Sequence, residues 1–521
     1  MSNKKQTGSY YTPDYLAHFI TKRVLAHFED IKYLSVLEPS AGDGAFISEL
    51  NKNILKINLT AIELDNKELQ KAKTKWVSKN ASFINDDFLF YKTDKKFSLV
   101  IGNPPYVKRN LLKKEQIDAA QEIQTNEGFS DASIKNIWTS FLIKSTTLLT
   151  NFGVLAFVLP SELLQVKFAE DIRSYLKSQF CRIEVFTFND LMFDCKGQDT
   201  IVLFAYKKHL HPGEFFTNIT NKLELINENF LLKKNNLLVE SNVKWTHHFL
   251  TDEEITFLNK LKNSLNRIND YCESKPGIVT AANKYFIINK EKEEKYNLKK
   301  YTKPIIQKGL YVNGNVEFNE DDFAALEKKY PSRLIQINNS DEIVPDLIEY
   351  LKLGVDLDIP NRFKCKERKK WYVIPNISTI PSAFFFKRSH NYPKLLKNNT
   401  EALVTDSAYR INTRNGYDLN SLIFSFYNSL TLSFSEIDGR YYGGGVLELT
   451  PSEFKNLPLP YLKISNVTFR TFAKKFEQKS NINDILRKND AKILGNVLGL
   501  NKEEIETLQQ IRLKLVNKRI R

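Results

Sequence analysis

The sequence predicts an α/β protein with a doubly wound, mostly parallel sheet, followed by a C-terminal α+β domain. The first observation is that short apolar strands alternate with helical stretches through about the first 200 residues. The second is that this alternation ends near residue 210, where Lys- and Asn-rich segments of weak periodicity begin. The length of 521 residues also exceeds a single ordinary core. We expect one domain over residues 1–225 and a second over residues 226–521 that ends in a helical segment.

Four strands are predicted between residues 31 and 104, and each leads into a turn or a helix. They are YLSVLE (33–38), INLTAIEL (57–64), ASFIN (81–85) and FSLVIG (97–102). Polar or Gly-containing residues follow each strand immediately. Because the ligands of such sheets bind outside the carboxyl ends of the strands, we expect these four strand ends to form one site.

The sheet is expected to continue beyond these four strands. IWTSFLIKSTTLLTNFG (137–153) predicts a helix, and VLAFVLP (154–160) predicts the strand that follows it. After a further helix, RIEVFTF (182–188) and TIVLFAY (200–206) predict two more strands.

The net charge of +15 is concentrated in the C-terminal part of the chain. Residues 1–200 hold 26 Lys and Arg against 24 Asp and Glu, whereas residues 201–521 hold 50 against 37. Such an excess is typical of a domain that binds a polyanion such as nucleic acid, although solvated lysine faces are also common. The sequence has no apolar window of membrane-spanning length and no signal peptide, so we expect a cytoplasmic protein.

The cysteines argue against two kinds of cross-link. Cys181, Cys195, Cys272 and Cys365 lie far apart, and none belongs to a CxxC pair. This spacing disfavours both a structural zinc site and a disulfide framework. We therefore expect reduced thiols and no metal.

The segment VLEPSAGDGAF (36–46) lies between the first strand and a helix and predicts a site for a nucleotide-type cofactor. Gly42 and Gly44 let the backbone approach a ligand closely, and the start of the helix offers unpaired N–H groups. Glu63 ends the next strand, where a carboxylate can accept hydrogen bonds from ribose hydroxyls. Glu38 would repel a pyrophosphate but attract a sulfonium and an ammonium group. S-adenosylmethionine therefore fits this segment better than NAD does.

Two residues at the end of the third strand extend this hypothesis. Asp87 is expected to hold the adenine of the cofactor by a hydrogen bond, and Phe88 by an apolar contact. The other interpretation is that Asp87 caps a helix and Phe88 is a core aromatic.

The segment NPPY (103–106) follows the fourth strand and predicts chemistry on the exocyclic amino group of a nucleobase. The lone pair of that nitrogen is delocalised into the ring, and two hydrogen-bond acceptors would stabilise the positive charge that develops on it. Asn103 offers its side-chain oxygen and Pro104 its carbonyl oxygen, while the two prolines form a stiff turn. Tyr106 offers a flat face on which an extruded base can stack. No metal or covalent nucleophile is needed.

Residues 7–205 resemble, in the order of their motifs, the gamma class of amino DNA methyltransferases, which are N6-adenine modification enzymes of Type II restriction systems. The matching segments are TGSYYTPDYLAHFI, VLEPSAGDGAF, IELD, NDDFL and VIGNPPYV. The resemblance implies the class I S-adenosylmethionine-dependent methyltransferase fold, double-stranded DNA as substrate, and a target recognition domain at the carboxyl end. It also implies transfer of a methyl group to N6 of a flipped adenine in a short duplex sequence, which would protect host DNA.

The resemblance further implies roles for individual residues. Thr12 is expected to help close over the methionine part of the cofactor. Phe193 is expected to form the second face of the base sandwich opposite Tyr106, with a core Phe as the alternative. The expected cofactor-binding residues are Thr12, Glu38, Ser40, Ala41, Gly42, Gly44, Glu63, Asp87, Phe88 and Pro105, and the expected catalytic residues are Asn103, Pro104, Pro105 and Tyr106.

Two groups of cations are expected to contact DNA phosphates. One follows the NPPY segment directly, and the other lies in NRFKCKERKKW (361–371), which is the densest basic run of the chain. A solvated face is the alternative for the second group. The residues are Lys108, Arg109, Lys364, Lys366, Arg368, Lys369 and Lys370.

Other functions remain open from the residues alone. An RNA adenine methyltransferase or a protein glutamine methyltransferase could use the same NPPY chemistry, and cytosine could offer its amino group to the same site. A DNA-binding subunit without catalysis would have no reason to keep Asn103 and Glu63 together. The Thr-Pro motif and the cation-rich C-terminal part argue against a protein substrate, whereas the residues alone leave RNA open. The Thr-Pro start and the order of the motifs favour adenine over cytosine.

We expect no nuclease in this chain. The segment PDLIEYLK (345–352) has a Pro-Asp pair, but Asp346 and Glu349 are too close together for a PD…ExK nuclease. The chain also begins almost at the Thr-Pro motif, which leaves no room for an N-terminal nuclease. The resemblance to Type II restriction systems suggests a separate cognate restriction endonuclease acting on the same site as a partner, and the residues themselves leave open whether one exists.

Overall fold

The computed structural model describes residues 11–53, 56–130, 134–189, 199–234, 244–375, 377, 379–442 and 444–520. The chain forms two compact units. The first consists mainly of Met1–Glu253, and the second of Glu254–Tyr441 with Gly445–Ile520.

The first unit alternates helices with strands in its N-terminal half. Its helices are α1 (Asp14–Ala26), α2 (Ala45–Asn51), α3 (Asn66–Thr74), α4 (Lys114–Asn126), α5 (Trp138–Thr147), α6 (Glu162–Gln165), α7 (Glu170–Gln179) and α8 (Lys222–Ile226), with 3-10 turns at Arg109–Leu111, Lys167–Ala169 and Trp245–Phe249. Its strands are β1 (Tyr33–Glu38), β2 (Lys56–Glu63), β3 (Ala81–Asn85), β4 (Phe97–Gly102), β5 (Leu149–Pro160), β6 (Arg182–Phe188), β7 (Thr200–Tyr206), β8 (Gly213–Ile219) and β9 (Lys233–Lys234).

These strands form one sheet in the order β3-β2-β1-β4-β5-β7-β6-β8-β9. The five strands β1 to β5 run parallel to one another, whereas β7 runs antiparallel to both β5 and β6. The strand order reverses direction at β1, so that the carboxyl ends of β1 and β4 emerge side by side. The predicted doubly wound, mostly parallel sheet is confirmed.

The central strands are buried on both faces, as parallel strands covered by helices must be. Val36 and Leu99 belong to the core cluster on one face of the sheet. Their chain neighbours Leu37 and Val100 belong to the cluster on the other face. All four side chains are at most 1% exposed. The sheet is thus a rigid support for the loops at its carboxyl edge.

The predicted helix over 137–153 ends earlier than the sequence analysis expected. Helix α5 stops at Thr147, and β5 starts at Leu149. The β4–β5 register shifts between Phe97↔Leu149 and Leu99↔Val154, so extra residues of β5 bulge out of the ladder. Apolar periodicity alone does not separate such an irregular strand start from a last helical turn.

The first unit extends 28 residues past the expected boundary at 225/226, to Glu253. Trp245 is fully buried in the core of this unit, with its ring centroid 5.8 Å from that of Phe216 on β8. A large buried aromatic after the last long strand therefore belongs to the first core and not to a linker.

The second unit mixes short strands with helices. Its helices are α9 (Asp252–Asn263), α10 (Ile268–Tyr271), α11 (Asn283–Phe286), α12 (Lys290–Lys295), α13 (Glu320–Glu327), α14 (Pro345–Asp356), α15 (Phe363–Lys366), α16 (Leu419–Phe426), α17 (Ser429–Asp438), α18 (Pro451–Lys455), α19 (Asn466–Glu477), α20 (Ile482–Leu498) and α21 (Lys502–Arg519), with 3-10 turns at Lys299–Tyr301 and Gly309–Tyr311. Its strands are β10 (Cys272–Pro276), β11 (Ile287–Ile288), β12 (Thr302–Ile306), β13 (Glu317–Phe318), β14 (Arg333–Ile335), β15 (Ala383–Phe386), β16 (Arg388–Ser389), β17 (Lys394–Asn398), β18 (Leu403–Val404), β19 (Ala408–Thr413), β20 (Arg440–Tyr442) and β21 (Val446–Glu448).

The larger sheets of this unit have the orders β10-β19-β15-β17-β13 and β11-β14-β12-β18. Helices α16 to α21 follow them and include the helical C-terminal segment that the sequence predicts. Within the described part of the chain, no helix has the length and apolar character needed to cross a membrane. The same residues include no cluster of His, Cys, Asp and Glu suited to a metal ion.

Candidate functional site

The carboxyl ends of β1 and β4 bring the two main sequence motifs together. Leu37 lies opposite Val100 in this parallel pair, so the residues that follow each strand leave the sheet as neighbours. The Ser40 hydroxyl donates a hydrogen bond of 3.1 Å to the backbone carbonyl of Asn103. The glycine-containing loop and the NPPY segment are therefore joined directly.

The loop between β1 and α2 needs both of its glycines. Gly42 and Gly44 have φ angles of +53° and +82°, which are costly for residues with a Cβ. A Cβ at Gly44 would also lie 2.7 Å from Cα of Ala72 on α3. The Gly42 N–H donates to Oε2 of Glu63 at 2.8 Å, and the Ala41 N–H donates to the backbone carbonyl of Ile62. The end of β2 thus fixes the shape of the loop.

Glu38 is the most unusual side chain of the site. It is 1% exposed, and its Oε2 atom has no hydrogen-bond partner within the described structure. Burial raises its pKa well above the ordinary value, and the nearby carboxylates of Glu63 and Asp43 raise it further. A buried carboxyl group with a free oxygen among other acids favours a cation, because a cation would repay the lost hydration.

Glu63 has a structural partner on each carboxylate oxygen. Besides Gly42, it accepts a hydrogen bond of 2.9 Å from the backbone N–H of Asp65. Burial raises its pKa, while these backbone hydrogen bonds oppose the rise. Each oxygen retains a second lone pair for a ligand hydroxyl.

The NPPY segment is held by hydrogen bonds at both ends of the Asn103 amide. The Asn103 Nδ2 atom donates to the hydroxyl of Thr12 at 3.3 Å. The Tyr106 hydroxyl lies 2.8 Å from Asn103 Oδ1 and 3.1 Å from the carbonyl oxygen of Val158 on β5. The predicted residues Thr12, Asn103 and Tyr106 are therefore in contact. The Tyr106 ring is only 7% exposed, so most of its surface packs against the protein.

The chain after the NPPY segment is pinned as a short antiparallel bridge. Lys108 lies opposite Asn136, with backbone hydrogen bonds from Arg109 to Lys135 and from Ile137 to Val107. Lys108 is exposed, as a phosphate contact requires, and Arg109 is half-buried.

Phe88 packs in the core at the turn after β3. It is 1% exposed, and its ring lies 5.0 Å from that of Phe141 in the core. Asp87 accepts hydrogen bonds from the backbone N–H of Leu89 and from the side-chain amide of Gln116. The turn after β3 thus places the Phe88 ring beneath α5. Its contact with the adenine of the cofactor stays a prediction. Asp87 remains half-buried at the carboxyl edge of the sheet.

Lys144 on α5 holds this turn in place. Its ammonium group donates to the backbone carbonyls of Phe88, Leu89 and Tyr91 at 2.6, 2.9 and 2.5 Å. It also lies 4.9 Å from the centroid of the Phe88 ring. Burial lowers the pKa of Lys144 to about 8.

The cations of the second group lie in the second unit, on and after α15. Lys364, Lys366, Lys369 and Lys370 are exposed. The guanidinium group of Arg368 instead donates to backbone carbonyls inside the unit and lies over a buried ring. These donors serve the protein interior, and a phosphate contact of Arg368 stays a prediction.

Sequence analysis missed three residues around the site. Tyr11 lies 4.0 Å from the position that a Cβ on Gly42 would take. Its position directly before Thr12 in the sequence could have indicated that it lies near the site. Gln116 bonds Asp87, and Asn136 has a buried side-chain oxygen without a hydrogen-bond partner in the described structure. The latter two become neighbours of the site only through long-range folding. Phe193 lies outside the described residues.

Two family models match most of the chain. "Eco57I restriction-modification methylase" matches residues 5–193, and "Type II methyltransferase M.Eco57I, C-terminal domain" matches residues 242–494. The chain belongs to the Eco57I family of restriction-modification methylases. The predicted resemblance to Type II modification methylases is thereby confirmed.

Individual relatives agree with this family. The Type II methyltransferase M.AccI of Acinetobacter calcoaceticus is 24% identical over 475 residues, which cover 87% of this chain and 85% of the relative. The modification methylase CviBIII of Paramecium bursaria Chlorella virus NC1A is 31% identical over 174 residues, or 33% of this chain and 43% of the relative.

A solved structure extends the likeness to the fold of the whole Eco57I-family chain. The Type IIL restriction-modification enzyme MmeI, solved in complex with DNA, aligns with a TM-score of 0.66 at 12% identity. The alignment covers 99% of this chain and 80% of that one.

Proposed function

We propose that this Type II methylase transfers a methyl group from S-adenosylmethionine to the N6 amino group of an adenine within a short sequence of double-stranded DNA. The adenine is flipped out of the duplex to reach the site. In the cell this reaction would protect DNA from a separate restriction endonuclease that acts on the same sequence.

The observation that carries the proposal is the hydrogen-bonded connection between the NPPY segment and the glycine-containing loop. Ser40 and Thr12 both bond Asn103, one through its backbone and one through its side chain. This arrangement supports a cofactor and a target amino group that meet at the carboxyl ends of β1 and β4.

The charge of the site fits S-adenosylmethionine, which is a cationic ligand. The free buried oxygen of Glu38 and the acidic side chains around it favour a cationic ligand over a pyrophosphate. We assign Glu38, Ser40, Ala41, Gly42 and Gly44 to binding of the methionine part. Glu63 and Asp87 are assigned to the nucleoside, Pro105 to the turn beside it, and Thr12 to closure. When bound, the cofactor supplies an electrophilic methyl group.

The chain's own residues would prepare the target nitrogen. Asn103 Oδ1 already accepts from the Tyr106 hydroxyl and has a second lone pair for an amino hydrogen of adenine. The carbonyl of Pro104 would accept the other. These two acceptors hold the nitrogen and stabilise its developing positive charge, which is the main electrostatic requirement of the reaction. Tyr106, with Phe193 on the other face, would stack on the base.

The DNA itself would be held by cations. Lys108 and Arg109 follow the NPPY segment and would meet the phosphates next to the flipped nucleotide. Lys364, Lys366, Lys369 and Lys370 of the second unit would neutralise phosphates farther along the duplex. The same chemistry on a glutamine amide of a protein would not need these phosphate contacts.

The test is transfer of radiolabelled methyl from S-adenosylmethionine to mixed-sequence duplex DNA, RNA and a protein extract. Single-molecule sequencing of the DNA product then locates the modified base. Label at N6 of adenine within one short motif is the expected result. Label at N4 of cytosine, or label only in RNA or protein, would overturn the assignment of the substrate.

A further inference from the structure

The segment 361–371 of the second unit presents an aromatic ring to solvent among cations. Phe363, at the start of α15, is 77% exposed. The segment has six basic side chains and one acidic side chain, which gives a net charge of +5. A ring this exposed contributes nothing to the hydrophobic core. The neighbouring positive charges repel one another unless a negatively charged partner is present.

The fold holds this segment in a defined orientation. Cys365 is 0% exposed within a hydrophobic cluster of the unit. Arg368, three residues later, donates hydrogen bonds to the carbonyls of Thr280 and Trp371 at 3.0 and 3.2 Å. Cys365 and Arg368 both face the interior and hold the backbone of this segment in place. The side chain of Phe363 is therefore kept on the solvent side.

The cations around the ring are available for a partner. Lys364, Lys366 and Lys369 are exposed, and none of their side chains has a hydrogen bond or an ion pair within the part of the chain described. Lys366 lies three residues after Phe363 and therefore next to it on the helix surface. The patch thus combines one apolar group with unpaired positive charge on its flanks.

Duplex DNA matches this combination better than a protein surface does. Its phosphates line the edges of each groove, and the apolar faces and edges of its bases lie between them. A protein partner would need an apolar pocket ringed by acids. Charge complementarity therefore selects nucleic acid as the occupant.

We infer that Phe363 enters a groove of duplex DNA and contacts the bases, while Lys364, Lys366 and Lys369 bind the flanking phosphates. This inference rests on the proposed function, since it takes duplex DNA as the substrate. It goes further by naming one aromatic base contact in the second unit.

The test measures the Kd for a mixed-sequence duplex by fluorescence anisotropy between about 50 and 200 mM salt, the range over which phosphate contacts are sensitive. Phe363→Ala is expected to weaken binding roughly 5- to 150-fold, as for loss of one base-contacting aromatic, with an unchanged salt slope. Replacing the three lysines by alanine is expected to reduce the slope of log Kd against log salt by about 2.7, or about 0.9 for each contact.

Two further variants separate the base contact from general effects. Phe363→Trp keeps a large flat ring, so its Kd should stay closer to that of the wild type than the Kd of Phe363→Ala. Val467→Ala removes a 72% exposed apolar side chain elsewhere in the unit and should leave Kd unchanged. Thermal melting confirms that each variant folds.

The outcomes are distinct. Wild-type affinity in Phe363→Ala would overturn the inference, as would a loss of affinity that Val467→Ala shares. A change of oligomeric state in Phe363→Ala, seen by light scattering with unchanged Kd, would identify the ring as a protein contact and also overturn it. If the wild type methylates DNA in these cases, the proposed function stands. If the wild type transfers no methyl group to DNA, the proposed function fails and the inference fails with it.

Discussion

The Tyr106 hydroxyl lies 2.8 Å from Oδ1 of Asn103, so the ring and the amide of the NPPY segment are coupled within one tetrapeptide. Thr12 holds the other end of the same amide through Nδ2. These two contacts fix the orientation of the Asn103 side-chain amide. The proposed reaction requires that Oδ1 of this amide, and not Nδ2, faces the target nitrogen. The stacking residue therefore also orients the acceptor.

Tyr106→Phe separates these two roles. It keeps the ring but removes the hydroxyl, and the loss of one hydrogen bond predicts a kcat reduced about 5- to 10-fold. Asn103→Ala should reduce kcat by at least about 100-fold, because it removes an acceptor that acts on the transition state. Both variants should bind S-adenosylmethionine with nearly wild-type Kd.

Fluorescence of 2-aminopurine at the target position is the control measurement. Base flipping should be near the wild-type level in Tyr106→Phe and strongly reduced in Tyr106→Ala. Equal loss of flipping in both variants would show that the hydroxyl captures the base and does not orient Asn103.

Glu38 gives a prediction with opposite effects on stability and on binding. Its pKa is raised in the folded state, so above about pH 4 the unfolded state ionises while the folded state keeps its proton. Unfolding then releases a proton, and stability falls as pH rises through this interval. Glu38→Gln removes the effect, so it should raise the Tm of the cofactor-free protein at pH 7 and leave it unchanged below about pH 4.

The same substitution should weaken binding of S-adenosylmethionine, because the glutamine cannot pair with a cation. For the wild type, affinity should rise with pH as Glu38 ionises on binding. Calorimetric titration at several pH values measures this, with Glu29→Gln, an exposed acid, as the control. A lower Tm together with unchanged affinity would contradict the role assigned to Glu38.

Lys144 predicts a link between a core helix and the nucleoside end of the site. Lys144→Met would leave the three carbonyls of the turn after β3 without their shared donor, at a cost of about 1–3 kcal/mol in the free energy of unfolding. The turn positions Asp87, so affinity for S-adenosylmethionine should fall while the rate with saturating cofactor stays near the wild-type rate.

Urea unfolding and equilibrium dialysis with labelled cofactor check this prediction. Lys92→Met removes an exposed lysine that follows the turn after β3. It should change neither the free energy of unfolding nor the affinity for S-adenosylmethionine. A lower stability with intact cofactor affinity would limit Lys144 to a purely structural role.

Local sequence patterns predicted much of the site because its parts are set by local rules. The strand boundaries of β1, β3 and β4 follow from apolar runs that stop at Pro, Asp or Gly-Asn. Glycines at 42 and 44 indicated a loop whose backbone can approach a ligand closely, and both have positive φ angles in the structure. The parallel sheet then brings the strand ends together without further information, and the bond between Ser40 and Asn103 is a result of that topology.

Long-range contacts limited the remaining predictions. The burial of Phe88 depends on Phe141, more than 50 residues later, and the role of Arg368 depends on the carbonyl of Thr280, 88 residues earlier. Neither partner can be identified from a local pattern. The early end of α5 depends on the ladder that β5 forms with β4.

The last prediction concerns a buried ion pair that anchors the C-terminal helix α21. Arg519 is 4% exposed and makes a two-pronged pair with Glu436 on α17, with N–O distances of 2.7 and 2.8 Å. Its remaining donor bonds the carbonyls of His390 and Gly445. Removing one partner would leave a buried charge, so Arg519→Met should cost about 3–5 kcal/mol in the free energy of unfolding.

The double variant Arg519→Met/Glu436→Met removes both charges and replaces them with apolar groups. It should therefore recover most of the stability that either single variant loses, because the cost comes from the unpaired charge and not from absence of the pair. Urea unfolding of the three variants measures the coupling, with Lys502→Met, whose side chain is 91% exposed, as the control. If the double variant loses the sum of the two single losses, the coupling between Arg519 and Glu436 is zero. The two side chains then stabilise the protein through separate contacts, which for Arg519 are the carbonyls of His390 and Gly445.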